Sequence, residues 1–127
     1  LKKENIPHSL SYKKEITDSM LRNQIGELTV TSLKSFNKAL TIDYDLHPNI
    51  KKKWGYGLLL NIERLEGRRS QGSGSWAGVF NTYFWIDKKK GIAGTILMQS
   101  LPCYDQNALE AFEEFEKIMY KLVINPK

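Results

Sequence analysis

Residues 72–87 read Gly-Ser-Gly-Ser-Trp-Ala-Gly-Val-Phe-Asn-Thr-Tyr-Phe-Trp-Ile-Asp, a run of small residues passing into an aromatic one. Residues 72–78 are all Gly, Ser, Ala or Trp, so the backbone can approach a ligand closely while Trp76 supplies one large wall. On residue type alone Trp76 reads first as a rim side chain packed over a strand. Ser73 and Ser75 are the nearest nucleophile candidates. No His or Lys stands within the segment to take a proton from them, and Gly-Ser-Gly-Ser-Trp-Ala-Gly is not a Gly-x-Ser-x-Gly elbow, so both read as hydrogen-bonding turn residues. Cys103 follows Pro102 ahead of a helix. A catalytic thiol would need an imidazole, and neither His8 nor His47 stands in a motif with it, so a free turn thiol is expected. One Cys excludes an internal disulfide, and two His leave no zinc set at ligand spacing; no metal and no cofactor are expected.

The elements that must hold this segment follow from periodicity. Ser11 ahead of residues 12–24, with Ile16, Met20 and Ile25 on one face and Gly26 at the end, predicts a short capped helix. Leu28-Thr29-Val30 reads as a brief strand, and residues 43–49 as turn chemistry. Residues 56–65 alternate as a half-buried strand, with Tyr56, Leu58, Leu60 and Ile62 on one side, and Glu66-Gly67 turns it. Residues 69–78 read as an extended edge segment. Strands over 81–87 and 91–100, joined by Lys88-Lys89-Lys90-Gly91, predict an antiparallel hairpin in which Tyr83 and Trp85 face one layer and Phe84 the other. Asp105 can cap a helix over 105–123 whose Ala108, Ala111, Phe112, Phe115, Ile118, Met119 and Leu122 form an apolar stripe, with Glu early and Lys late as the helix dipole favours.

Composition excludes several classes. The 127 residues are 41% hydrophobic and 26% charged, ordinary for one globular domain with a modest core, and no apolar run reaches the length of a membrane span. The net charge of +5 gathers in Lys2-Lys3, Lys51-Lys52-Lys53, Arg68-Arg69 and Lys88-Lys89-Lys90. Lysines at turns are most simply solvated surface, and no RNA-binding aromatic signature or helix-turn-helix pattern accompanies them, so no nucleic-acid partner is expected. Leu1 is not an initiating methionine, so the lack of a leader is no guide to compartment. Bacterial cytoplasm and periplasm both stay open.

Trp54-Gly55-Tyr56-Gly57-Leu58, Gly67-Arg68-Arg69, Ser75-Trp76-Ala77-Gly78, Asn81-Thr82-Tyr83-Phe84-Trp85-Ile86-Asp87 and Gln99-Ser100-Leu101-Pro102 resemble, in order and spacing, the C-terminal part of a β-lactamase-related serine hydrolase. That family comprises esterases, class C β-lactamases and D,D-peptidase-like penicillin-binding proteins. The resemblance implies an α+β fold in which an antiparallel sheet is covered by a C-terminal helix, part of a β-lactamase/transpeptidase-like domain. Residues 1–127 would then be one incomplete domain. Members act through a Ser-x-x-Lys carrying nucleophile and base, a Tyr-x-Asn that helps move the proton, and a Lys-Thr-Gly, His-x-Gly or Trp-x-Gly strand lining the pocket. Trp76-Ala77-Gly78 matches the Trp-x-Gly form, and no Tyr-x-Asn occurs. Ser-x-x-Lys occurs as a string at Ser11-Lys14 and at Ser35-Lys38, neither of them where the family places its nucleophile, and both read as coincidence.

The resemblance therefore implies no catalytic residue in this chain. It implies a substrate pocket and oxyanion strand at Trp76, Ala77, Gly78 and Val79, with the N–H of Gly78 or Val79 as a donor of the kind that stabilises a tetrahedral intermediate by about 3 kcal/mol. Trp76 where other members carry lysine points away from carboxylate-bearing substrates and toward an uncharged ester or amide. The implied partners are the N-terminal segment of the same domain or a second copy, because in the family the last strand, here 91–100, pairs with a strand of that N-terminal segment. The alternative is a non-catalytic remnant, or a binding or structural module that keeps part of the fold.

Overall fold

The computed structural model describes residues 13–124. Helix α1 (Lys14–Met20) precedes a long irregular stretch. Strands β1 (Lys52–Trp54), β2 (Leu59–Asn61), β3 (Ser73–Gly78), β4 (Thr82–Asp87) and β5 (Ile92–Ile96) follow, and helix α2 (Gln106–Ile124) ends the described chain. The five strands form one antiparallel meander in sequence order, with β1 and β5 at its edges. This is the expected α+β arrangement of an antiparallel sheet under a C-terminal helix.

The core lies between α2 and one face of β3–β5. Tyr83 stacks on Phe112 at 4.7 Å, and Trp85 meets Phe112, Phe115 and Tyr120. Phe84 pairs in register with Trp76 on the opposite face, so the aromatic alternation sorts as expected. Trp85 lies directly over β5, where a side chain at position 94 would sit 2.1 Å from the indole ring; Gly94 is the residue that fits. Asp105 caps α2 as expected, its Oδ1 accepting from the N–H groups of Asn107 (3.1 Å) and Ala108 (3.2 Å).

Several expectations are corrected. Of the strand expected over 56–65 only Leu59–Asn61 forms, as β2, and residues 56–58 belong to the turn that joins it to β1. Gly55 N–H donates to Leu58 O at 2.8 Å, Tyr56 sits exposed in the turn, and Leu58, Leu59 and Leu60 are all buried because both faces of the sheet are covered there. A two-sided strand carries no useful alternation. Residues 69–78 contain β3, an internal strand rather than an edge, and Ser73 and Ser75 lie within it, buried, rather than in a turn. The strand expected over 91–100 ends at Ile96, since the chain then leaves the sheet to meet the β3–β4 turn, where Ser100 N–H reaches Phe80 O.

The helix expected over 12–24 spans only Lys14–Met20, while Ser11 and Tyr12 lie outside the described residues. Gln24 N–H instead donates to Trp54 O at 2.8 Å, which draws the chain out of the helix and along β1. Residues 28–30 form no strand; Val30 makes one bond, to Lys52 O. The stripe of α2 is rotated from the expected one. Ala108, Leu109, Phe112, Glu116 and Tyr120 are buried, whereas Ala111, Ile118 and Leu122 are exposed. Two of the charge runs each bury one residue, Lys52 in β1 and Arg69, while Lys51 is exposed, as are Lys88, Lys89 and Lys90 at the β4–β5 turn. Lys2-Lys3 lies outside the described residues.

Candidate functional site

The four residues singled out at 76–79 stay together at the end of β3. Gly78 pairs with Thr82, and Val79, Phe80 and Asn81 form a three-residue hairpin loop in which Asn81 takes the left-handed conformation (φ 60°) that asparagine tolerates. Asn81 is fully buried and holds the loop. Its Nδ2 donates to Ser100 O (3.1 Å), Ser100 Oγ (3.1 Å) and Pro102 O (2.8 Å), while its Oδ1 accepts from the Tyr83 hydroxyl (2.7 Å) and Tyr104 N–H (2.8 Å). Nothing in the residue pattern of the loop distinguishes this asparagine from an ordinary turn residue. It is the largest omission at the site.

β2 pairs only with Ser73–Ser75 of β3, so Trp76, Ala77 and Gly78 are paired on the β4 side and open on the other. Gly78 O accepts from Asn81 N–H (3.1 Å) and from the Cys103 thiol (3.3 Å). Because the peptide is planar and trans, two bonds to that carbonyl fix the opposite direction of the Val79 N–H. No acceptor among the described residues takes that N–H, and Val79 is exposed. Of the two donors considered, Val79 is therefore the free one and Gly78 lies in the hairpin ladder. Trp76 is half-buried and packs edge-on against Trp54, ring centres 4.6 Å apart and planes at 87°. Ala77 points the other way, onto the core under α2. Cys103 is a free thiol, as expected, and is buried in the turn ahead of α2.

The start of β3 is fixed by buried charge that residue types alone did not flag. Arg69 is fully buried and grips Glu116 of α2 with two bonds, Nε–Oε1 at 2.7 Å and Nη2–Oε2 at 2.8 Å, its guanidinium lying over Trp85 and Phe112. Asp87 accepts from Ser70 N–H (2.8 Å), Lys90 N–H (3.0 Å) and the Tyr120 hydroxyl (2.9 Å). Burial raises the Asp87 pKa, but these bonds outweigh it and hold it below the usual carboxylate range. The phase of α2 carried the signal for Glu116: it stands four residues after Phe112 and four before Tyr120, on the same helix face.

The two Ser-x-x-Lys strings do not build a nucleophile with its base among the described residues. Ser11 lies outside them, and Lys14 pairs with Asp18 at 2.8 Å. Ser35 lies in a loop; its N–H donates to Asp43, which also binds the Lys38 ammonium, while the Ser35 hydroxyl has no partner. No described serine or thiol hydrogen-bonds to a lysine amine or an imidazole. No group of three or more His, Cys, Asp or Glu among the described residues is placed to hold a metal ion, and no helix there is long and apolar enough to cross a membrane.

No protein-family model and no curated protein sequence matches the chain. Solved structures do. A mutant of simvastatin synthase (LovD) from Aspergillus terreus, LovD6, superposes with a TM-score of 0.58 at 26% identity over 59% of this chain and 19% of the synthase. The unliganded synthase gives 0.55 at 27% identity over 57% and 19%, and the LovD9 mutant 0.54 at 29% over 56% and 19%. The matched part thus spans about a fifth of the synthase, 19% of its length. Over that part the sheet and helix described above are those of a β-lactamase-like fold.

Proposed function

We propose that this chain is the C-terminal segment of a β-lactamase-related serine hydrolase or acyl-transferring enzyme, supplying the Trp-x-Gly strand to a pocket whose nucleophile comes from elsewhere. The observation that carries the reading is the open side of β3 at Trp76–Gly78, with an unpaired Val79 N–H whose direction is set by two bonds to Gly78 O. The likeness to LovD supports the general fold family. In this reading Trp76 walls the acyl or leaving group, and Val79 N–H is one of two donors to the developing oxyanion. The substrate is an uncharged ester or amide, since no lysine stands in the motif to meet a carboxylate.

The partner that completes the pocket is the N-terminal segment of the same domain. Its docking surface would be β5, whose outer edge has no strand beside it among the described residues.

The test is complementation. The 127-residue chain by itself should leave activated esters and a chromogenic β-lactam at background, and mixing it with an N-terminal segment bearing Ser-x-x-Lys and Tyr-x-Asn should give turnover that Trp76→Ala impairs. Turnover by the chain itself, lost in Ser35→Ala, would refute the reading. Binding of the segment without turnover would favour the alternative, a module that keeps the fold and does no chemistry.

A further inference from the structure

On the sheet face away from α2, α1 and the chain just after it leave a crevice of about 330 Å³ lined by Thr17, Met20, Leu21, Leu58, Ile86 and Lys88. Its floor is the β3–β4 pair Gly74 and Ile86, and Leu21 and Leu58 close over Gly74. The walls are hydrocarbon. The Thr17 hydroxyl is already committed to Lys14 O at 2.9 Å, so the lining asks no hydrogen bond of a ligand there.

The mouth is different. The Lys88 ammonium pairs with Asp18, and Asp18 also takes Lys14 at 2.8 Å, so one carboxylate serves two ammonium groups and one positive charge is left over. Lys88 is more than half exposed, so its ammonium remains within reach of solvent.

We propose that this crevice binds a medium-chain carboxylate, the alkyl chain lying between α1 and the sheet and the carboxylate meeting Lys88 at the rim. A cavity of this size is at the small end for ligand sites, which favours a medium chain over a long one. The excess positive charge selects an anionic head over a neutral one, and each methylene placed against the lining strengthens binding. The inference does not depend on the hydrolase reading, since the crevice uses neither the open side of β3 at Trp76–Gly78 nor the Val79 N–H.

The experiment is a methyl-detected NMR titration of the full chain with sodium octanoate, 1-octanol and sodium butyrate, all below micellar concentration. Octanoate should shift the methyl signals of Met20, Leu21, Leu58 and Ile86 saturably, and butyrate should bind more than about tenfold more weakly. Lys88→Glu should weaken octanoate about five- to tenfold and leave 1-octanol within about twofold, because the exposed charge acts on the head group and not on the chain. Thr17→Phe, at an exposed helical position, should plug the crevice and abolish the shifts, whereas Thr17→Val should keep them. Shifts that do not saturate, that map to Ile96, Ile118 and Leu122 instead, or that survive Thr17→Phe would overturn the proposal. Equal octanoate affinity in wild type and Lys88→Glu would overturn the assignment of a carboxylate.

Discussion

At the scale of single residues, Gly78 separates packing from function. A Cβ built there meets nothing closer than Thr82 Cβ at 3.6 Å, ordinary contact, and Gly78 is not among the residues with positive φ. The protein's own packing thus does not require glycine at 78, whereas a ligand approaching the open side of β3 would. Gly78→Ala is expected to change unfolding free energy by less than about 1 kcal/mol, and to lower ester turnover in the complemented domain by at least about tenfold. Urea unfolding and steady-state kinetics on the same preparation read both.

His47 makes stability depend on pH just below neutrality. It is buried in the left-handed conformation (φ 58°), and burial first, then the nearby Arg69, Arg68 and Lys52, lower its pKa from 6.5 to about 2. The folded chain keeps it neutral while the unfolded chain takes up a proton below pH 6.5, so its contribution is intact above that pH and is lost progressively down to about pH 2. The slope is about 1.4 kcal/mol per pH unit from this group. His47→Asn, which tolerates the same backbone conformation, should show a smaller loss of stability between pH 7 and pH 5 than wild type in urea titrations at the two pH values.

At the scale of elements, α2 is docked by a charge pair as well as by its aromatic face. Glu116→Leu leaves the Arg69 guanidinium buried without a partner and is expected to cost about 3–5 kcal/mol. Arg69→Met combined with Glu116→Leu should recover most of that loss, since two apolar side chains of similar volume replace the pair. A double-mutant cycle in urea in which the double variant is less stable than both single ones would show that the pair adds net stability.

This pair also marks where the sequence was legible. The β4–β5 hairpin, its aromatic sorting and the Asp105 cap were all readable, because strand alternation, the lysine-rich turn and the bonds from Asp105 to the next helical turn are local patterns. The Arg69–Glu116 pairing was not: the phase of α2 puts Glu116 on the apolar face, but nothing local names its partner, a guanidinium 47 positions away in sequence. The same holds for the site. Trp76–Gly78 was singled out by its resemblance to a Trp-x-Gly strand, whereas Asn81, which fixes the loop through contacts 19 to 23 positions away, could not be. Residues 56–61 failed for another reason: Tyr56 and Gly57 sit exposed in a turn, and residues 58–61 are buried throughout, so the apparent alternation marks no sheet face.

At the scale of the whole molecule, the sheet keeps an open edge and the covering helix keeps exposed apolar side chains. β5 is an edge strand, and α2 carries Ile118 and Leu122, 54% and 62% exposed. Ile96 and Met98, at the end of β5 and just after it, are only partly buried against the core. An unpaired edge and exposed apolar side chains are templates for another chain. The 127-residue chain is therefore expected to self-associate at concentrations where a chain with a covered edge stays monomeric, and sedimentation velocity as a function of concentration measures it. Ile118→Lys with Leu122→Lys should shift the distribution toward monomer. The unfolding midpoint extrapolated to low concentration should stay within the range expected for exposed positions, about 0.5 kcal/mol. If the N-terminal segment is the natural occupant of these surfaces, adding it should also dissolve the self-association, and the lysine pair should weaken its binding. A chain that remains monomeric throughout, with β5 amide protons as protected from exchange as those of β4, would mean that the edge is already covered and that no partner is needed there.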